Sequence, residues 1–321
     1  MKFSVLGCGR WGSFIGYYIN KLGHDTIIWG RETSNNLQKL KKDRHNEYIQ
    51  LDDSIQLTTN LEYAITQSEV IAISISCQQL RNLAKNIKQY DYENKTFLLC
   101  MKGIEAHSGK TLTNVVKEVL GDKINIAIWV GPGHVEDFKN NIPNCMVIDC
   151  ANDIIKKRLV KELSSDLIRF YYGHDLIGNE IGAASKNIIG IAAGILDGLG
   201  YSSLKGALMA RGAREISRLI EAMGGNKVTA YGLSHLGDYQ ATLFSPFSHN
   251  RMYGQELVKN HNYAKLAEGV STVKALMILK NKYNVELPIS QAVYDIIYYK
   301  KDVKKTLLKL FERPIKFEFK G

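Results

Sequence analysis

A chain of 321 residues is longer than one small core organises, so two domains are expected. Hydrophobic residues at 45% and charged residues at 23% exclude a disordered or fibrous chain. The net charge of +10, from 42 Lys and Arg against 32 Asp and Glu, is scattered rather than gathered into a basic element; this argues against a nucleic-acid partner and for a small anionic ligand.

The five cysteines (Cys8, Cys77, Cys100, Cys145 and Cys150) are odd in number, show no CxxC spacing and have no histidine cluster nearby. Disulfides and a metal site are therefore not expected, and a cytoplasmic location is. Met1 to Leu6 runs straight into a glycine-rich turn, so no signal peptide is expected, and no apolar stretch reaches the length of a membrane span.

In chain order, a strand over Phe3–Leu6 leads into Gly7-Cys8-Gly9-Arg10-Trp11-Gly12, followed by an apolar helix through Leu22. Strand, G-x-G-x-x-G and helix in that order form a dinucleotide fingerprint. Gly7 permits the tight turn, Gly9 lets the backbone approach a pyrophosphate, and Gly12 lets the helix pack on the sheet. Arg10 and Trp11 are candidate contacts within the loop, although Trp11 also fits plain packing.

A second strand, Thr26–Trp29, ends at Gly30-Arg31-Glu32. An arginine at this place suits the 2'-phosphate of NADP, whereas Glu32 suits the ribose of NAD, so either cofactor is admissible; Arg31 also fits a surface charge. Further apolar runs at Val70–Ile75, Phe97–Cys100, Ile126–Val130 and Cys145–Ile148 alternate with amphipathic stretches, a pattern for a parallel sheet covered on both faces. Asp153–Asp166 reads as a helix and Ile168–Tyr172 as a last strand.

Beyond Gly178 the periodicity becomes helical, over Lys186–Leu199, Leu204–Met223 and Tyr263–Lys282. The fold class is α/β: an N-terminal Rossmann doubly wound parallel sheet over 1–180, then an all-helical domain over 181–321. Lys186 sits in a stretch from Gly182 to Ile195 that is apolar almost all round. A buried ammonium must meet a carboxylate, a ligand or both, unless it snorkels out from the helix start.

Several blocks in one order resemble the NAD(P)-dependent glycerol-3-phosphate dehydrogenases of the soluble bacterial type: Gly7 to Gly12, Lys102-Gly103-Ile104-Glu105, Gly131-Pro132, Lys186-Asn187, Gly237-Asp238 to Asn250, Ala267-Glu268-Gly269-Val270 and Glu286-Leu287-Pro288-Ile289. The resemblance implies reduction of dihydroxyacetone phosphate to sn-glycerol 3-phosphate for phospholipid synthesis. It puts the proton donor at Lys186, a second lysine touching cofactor and substrate at Lys102, and further cofactor contacts at Gly131, Gly133, Val135 and Glu268. Gly131 and Asp238 then also face the substrate; the Asp238 carboxylate can orient the two lysines, with Thr242 four residues on, although Gly237-Asp238 also fits a helix cap.

The chain departs from the family pattern at Gly133-His134-Val135, at Ser76, and at Tyr239, Gln240, Leu243 and Phe244. Most consequential is Ser248-His249-Asn250-Arg251, where the family has Ser-Arg-Asn and its arginine grips the substrate phosphate. Arg251, or a His249 made imidazolium by the phosphate, is expected to take that role. Rival readings are a dehydrogenase of the same architecture with another small anionic substrate, and a silent NADPH-binding sensor. A homodimer is left open.

Overall fold

The computed structural model describes residues 1–321 except 260, 262, 316 and 319–321. Each apolar run of the first half forms a strand: β1 (Lys2–Leu6), β2 (Asp25–Trp29), β3 (Gln56–Thr58), β4 (Val70–Ile73), β5 (Thr96–Leu99), β6 (Asn125–Val130), β7 (Asn144–Cys150) and β8 (Ile168–Tyr172). They form one sheet in the order β3-β2-β1-β4-β5-β6-β7-β8. The strand order reverses between β1 and β4, which opens a crevice at the carboxyl ends of those strands. Leu6 pairs with Trp29 on one side and Ile73 on the other, and Ile73 pairs with Leu99. The loops after these four strands therefore emerge at one level.

Two features differ from the sequence reading. The three-residue edge strand β3 carries too short an apolar pattern to stand out. The expected all-parallel sheet contains one antiparallel pair, β6 with β7, because the short α6 between them does not cross back over the sheet.

Helices α1 (Arg10–Lys21), α2 (Asn35–Asp43), α3 (Leu61–Thr66), α4 (Leu80–Ile87), α5 (Leu112–Leu120), α6 (Val135–Lys139) and α7 (Asp153–Leu163) flank the sheet. One face buries Phe3, Val5, Phe14, Ile28 and Trp129; the other buries Leu6, Ile71, Ile73, Leu99 and Val116. A third core, with Ile181, Ile188, Ile216 and Leu276, lies among α8 (Leu176–Gly198), α9 (Lys205–Ala222), α10 (His249–Val258), α11 (Glu268–Lys282), α12 (Pro288–Tyr298) and α13 (Val303–Phe311). Among the described residues no helix is long and apolar enough to cross a membrane. All five cysteines are free.

Helix α8 starts ten residues before the expected Lys186, and the expected domain division at residue 180 falls in its second turn. Asp175 caps it by accepting the Gly178 N–H at 3.0 Å, while glycines that pack closely against neighbours hid the helical signal. At Gly194 a Cβ would lie 1.9 Å from the Arg251 carbonyl oxygen, and at Gly254 of α10 one would lie 2.1 Å from the Ile191 oxygen. The backbones of α8 and α10 thus touch, which only glycine allows.

Helix α11 begins at Glu268 rather than at the expected Tyr263. Ala267 is extended, and a first-turn donor, the Gly269 N–H, is met at 2.9 Å by Asn250 Oδ1 of α10. The start of α12 is held likewise from another helix: buried Glu215 of α9 accepts the Ile289 and Ser290 N–H groups at 2.7 and 2.9 Å.

Candidate active site

The first wall of the site is the turn after β1. Gly7 has φ +121°, and a Cβ there would meet the Ser74 carbonyl oxygen at 2.1 Å. One on Gly12 would meet the Gly7 oxygen at 2.0 Å, so the turn closes tightly on itself and on the loop after β4. A Cβ on Gly9 would meet nothing within 4 Å. Bare backbone faces an open cleft at the start of α1, where amide N–H groups point outward and favour an anion. The residues fit the pyrophosphate of a dinucleotide.

That cleft encloses about 730 Å³ and continues from Trp29, Gly30 and Arg31 past the glycine turn to Lys102, Lys186, His249 and Glu268. Arg31 is exposed at its rim, and among the described residues its guanidinium has no hydrogen-bond or ion-pair partner, which leaves it available to a ligand. Arg31→Ala is expected to raise the Michaelis constant for NADPH about tenfold to a hundredfold more than that for NADH, the range of one charged hydrogen bond at roughly 1.5–3 kcal/mol. Equal changes for both cofactors would remove Arg31 from phosphate reading.

At the other end of the cleft three charged groups meet. Asp238 Oδ2 receives Lys102 Nζ at 2.5 Å and Lys186 Nζ at 2.6 Å, with the Asp238 side chain 1% exposed. Lys102 also donates to the Gly131 carbonyl at 2.6 Å. Lys186 donates to Thr242 Oγ1 at 2.9 Å, and Thr242 in turn donates to the Asp238 carbonyl at 2.7 Å. Asp238 Oδ1 is buried with no hydrogen-bond partner.

Backbone irregularity makes this packing possible. Leu236–Asp238 is a 3-10 turn and Gln240–Phe244 a π turn, so Asp238 is not a helix cap. Burial pushes the Lys186 ammonium down to about 7 against the opposing pull of Asp238. Glu268, across the cleft, is pushed up to about 7 by burial. A lysine balanced near neutrality can both give and take a proton. Two lysines against one carboxylate leave one surplus positive charge, an electrostatic preference for an anion.

The remaining expected residues separate into two groups. Gly131 and Gly133 have positive φ, and a Cβ on Gly133 would strike the Phe138 ring at 2.6 Å, so its place in this chain is set by packing. Val135 is buried at the start of α6 and borders the cleft. Trp11 borders it too, but its ring stacks on Phe14 with centroids 5.3 Å apart, which makes it chiefly a packing residue. Arg10 is paired with Glu136 and lies over the Phe247 ring at 6.0 Å, so its side chain is already engaged.

Ser248 caps α10, and Asn250 caps α11 across the helix gap. Arg251 does not face the cleft: its Nε binds Asp197 Oδ2 at 2.6 Å, a correction to its expected phosphate role. His249 does face it, with Nδ1 2.5 Å from the Tyr263 hydroxyl. The expected imidazolium belongs to the complex with phosphate; the free site holds the ring in the other state. Burial first, and then the charges of Lys265 and Arg10, hold it below its ordinary value, so the ring is neutral at pH 7.

Sequence reasoning missed Glu136 and Phe247 as site residues and noted His134, whose Nε2 lies 2.7 Å from the Ala241 carbonyl, only as a departure from the family pattern. None carries a local signal. The departure at Tyr239 also finds its cause: its hydroxyl donates to His235 Nε2 at 2.7 Å, while His235 Nδ1 donates to the Gly182 carbonyl at 2.7 Å. Gly212 leaves room for that hydroxyl.

The description "NAD-dependent glycerol-3-phosphate dehydrogenase N-terminus" matches residues 2–155, and its C-terminal counterpart matches residues 175–308. The chain is 33% identical over 332 residues to a protein of a Thermoanaerobacter species named glycerol-3-phosphate dehydrogenase, NAD(P)+, with all of both chains covered. It is 33% identical over 336 residues to a protein of Fusobacterium nucleatum with the same name, covering 100% of this chain and 99% of that one. Among solved structures, glycerol-3-phosphate dehydrogenase of Coxiella burnetii superposes with a TM-score of 0.91 at 25% identity, covering 97% of this chain and 99% of that one.

Proposed function

The chain belongs to the family of NAD-dependent glycerol-3-phosphate dehydrogenases, and from that membership we infer that it is an NAD(P)-dependent oxidoreductase interconverting dihydroxyacetone phosphate and sn-glycerol 3-phosphate, a step of phospholipid synthesis. The observation that carries the reading is the Lys102–Asp238–Lys186 cluster at the end of the dinucleotide cleft. NADH and NADPH oxidation followed on addition of dihydroxyacetone phosphate tests it; turnover with a 2-oxo acid and none with this phosphorylated ketone would overturn it.

In this reading the dinucleotide, when bound, supplies the hydride. Lys186 protonates the C2 oxygen during reduction and recovers the proton in oxidation. Thr242 and Asp238 hold the Lys186 ammonium in place by the contacts described. Lys102 adds a second cation where charge develops on the substrate oxygen, and its bond to the Gly131 carbonyl keeps it at the cleft floor. The surplus charge of the cluster also suits a phosphorylated substrate. The silent-sensor alternative is disfavoured because the two lysines and their carboxylate form a complete proton-transfer set.

The phosphate grip falls to His249, the ionisable residue of the Ser248-His249-Asn250-Arg251 block that faces the cleft without another ion pair. An incoming phosphate dianion would reverse the depression of its pKa and draw a proton onto the ring. His249→Arg is expected to lower the Michaelis constant for dihydroxyacetone phosphate about tenfold and to flatten its rise above neutral pH, since a guanidinium stays charged. An unchanged constant in the arginine variant would place the phosphate elsewhere.

The same reading divides the chain into a dinucleotide-binding unit over 1–180 and a helical substrate-binding unit over 181–321. It accepts NAD or NADP, places the protein in the cytoplasm with no nucleic-acid partner, and leaves a homodimer as the assembly to test by sedimentation.

A further inference from the structure

A second charged cluster lies behind the site. Asp197, near the end of α8, receives Lys205 Nζ at 2.7 Å, Arg251 Nε at 2.6 Å and the Ser202 hydroxyl at 2.7 Å. Lys205 also donates to the Leu243 carbonyl at 3.0 Å and lies 4.9 Å over the Phe244 ring. The side chains of Asp197 and Lys205 are each 7% exposed. Burying ions this deeply is costly unless every lone pair and proton is used, and here they are used to join separate segments.

Those segments are the ones that carry the site. Helix α8 holds Lys186, eleven residues or three turns before Asp197. The π turn Gln240–Phe244 holds Thr242, the partner of Lys186, and ends on the Leu243 carbonyl that Lys205 grips. Helix α10 begins at His249 and carries Arg251 in its first turn. A π turn leaves its last carbonyls without regular helical partners, so an outside donor decides where it sits.

We propose that Asp197, Lys205 and Arg251 are positioning residues for substrate reduction: one buried carboxylate with two cations sets the π turn and the start of α10 against α8, and so sets Thr242 and His249 relative to Lys186. None of the three touches the substrate. Their effect is on the substrate end of the cleft and not on the glycine turn, which belongs to the sheet.

The kinetic arm of the test rests on the dehydrogenase reading; the exchange arm does not. Lys205→Met keeps the stem and removes the ammonium. It is expected to lower kcat/KM for dihydroxyacetone phosphate about tenfold or more, because sub-ångström misplacement of reacting groups is costly. The NADH dissociation constant, read from nicotinamide fluorescence, stays within about twofold of the parent. Hydrogen–deuterium exchange of peptides covering residues 238–251 speeds up, and Lys205→Arg restores most of both.

Should Lys205→Met not fold, Arg251→Lys weakens the same node more gently and is read the same way. Exchange of 238–251 unchanged from the parent in a folded variant would overturn the proposal. So would NADH affinity and kcat/KM falling in parallel, which marks general loosening. A parent inert toward dihydroxyacetone phosphate would sink the substrate assignment instead, and the exchange result would still decide on the positioning role.

Discussion

Lys186→Met is expected to lower turnover of dihydroxyacetone phosphate by roughly a hundredfold to ten-thousandfold, with lost electrostatic stabilisation adding to that, while NADH still binds. Methionine keeps the apolar stem that fills the wall of α8 and removes only the proton donor. The parent supplies the internal check. With the ammonium pushed down to about 7, protonated Lys186 is lost as pH rises through neutrality. Reduction by the parent should therefore fall over that window, and oxidation of sn-glycerol 3-phosphate, which needs the neutral amine, should rise. The variant's residual rate should lack that limb. Turnover within tenfold of the parent, with the limb intact, would remove Lys186 from the proton step.

Asp238→Asn is expected to cost about 3–5 kcal/mol of stability, because it leaves two lysines facing each other in a buried cleft with no counter-charge. The same change removes the attraction that opposes burial at Lys186, so its pKa should fall below about 7 and the limb of the reduction profile should move to lower pH. Inorganic phosphate should recover part of the lost thermal stability, since an anion then meets Lys102 and draws a proton back onto Lys186. A melting temperature equal to the parent's would show that the carboxylate does not organise the pair.

Local chemistry was the part of this molecule that could be read from its residues. The turn Gly7 to Gly12 is specified by contacts within one strand, one turn and one helix, and the structure places each glycine where that reading requires. Lys186 was conspicuous because an ammonium in an apolar helix needs a partner, and Asp238 is that partner. The failures are all non-local. The antiparallel setting of β7 depends on where its connection runs, and neither flanking sequence encodes that path. The start of α11 is fixed by Asn250 from another helix, and Arg251 is claimed by an aspartate fifty-four residues earlier. His249 could be recognised as a departure, but not its burial or the Lys265 and Arg10 charges that hold it below its ordinary value, since these come from the folded surroundings.

Helix α8 has a mechanical consequence. Its 23 residues make a rod of about 34 Å. Near one end Glu180 is clamped on Thr113 of α5 by bonds of 2.9 Å and 2.5 Å, and near the other Asp197 is clamped on α9 and α10. Many enzymes that shut on two ligands swing one lobe about a slack strap of chain. Here only Gly173–Asp175 separates the last strand from the rod, and the rod itself passes the lysine. Rocking one lobe against the other would have to bend a helix or pull Glu180 from its socket. Shutting the cleft on its ligands thus falls to side chains and turns at its mouth, where Phe247 and Leu266 are both exposed.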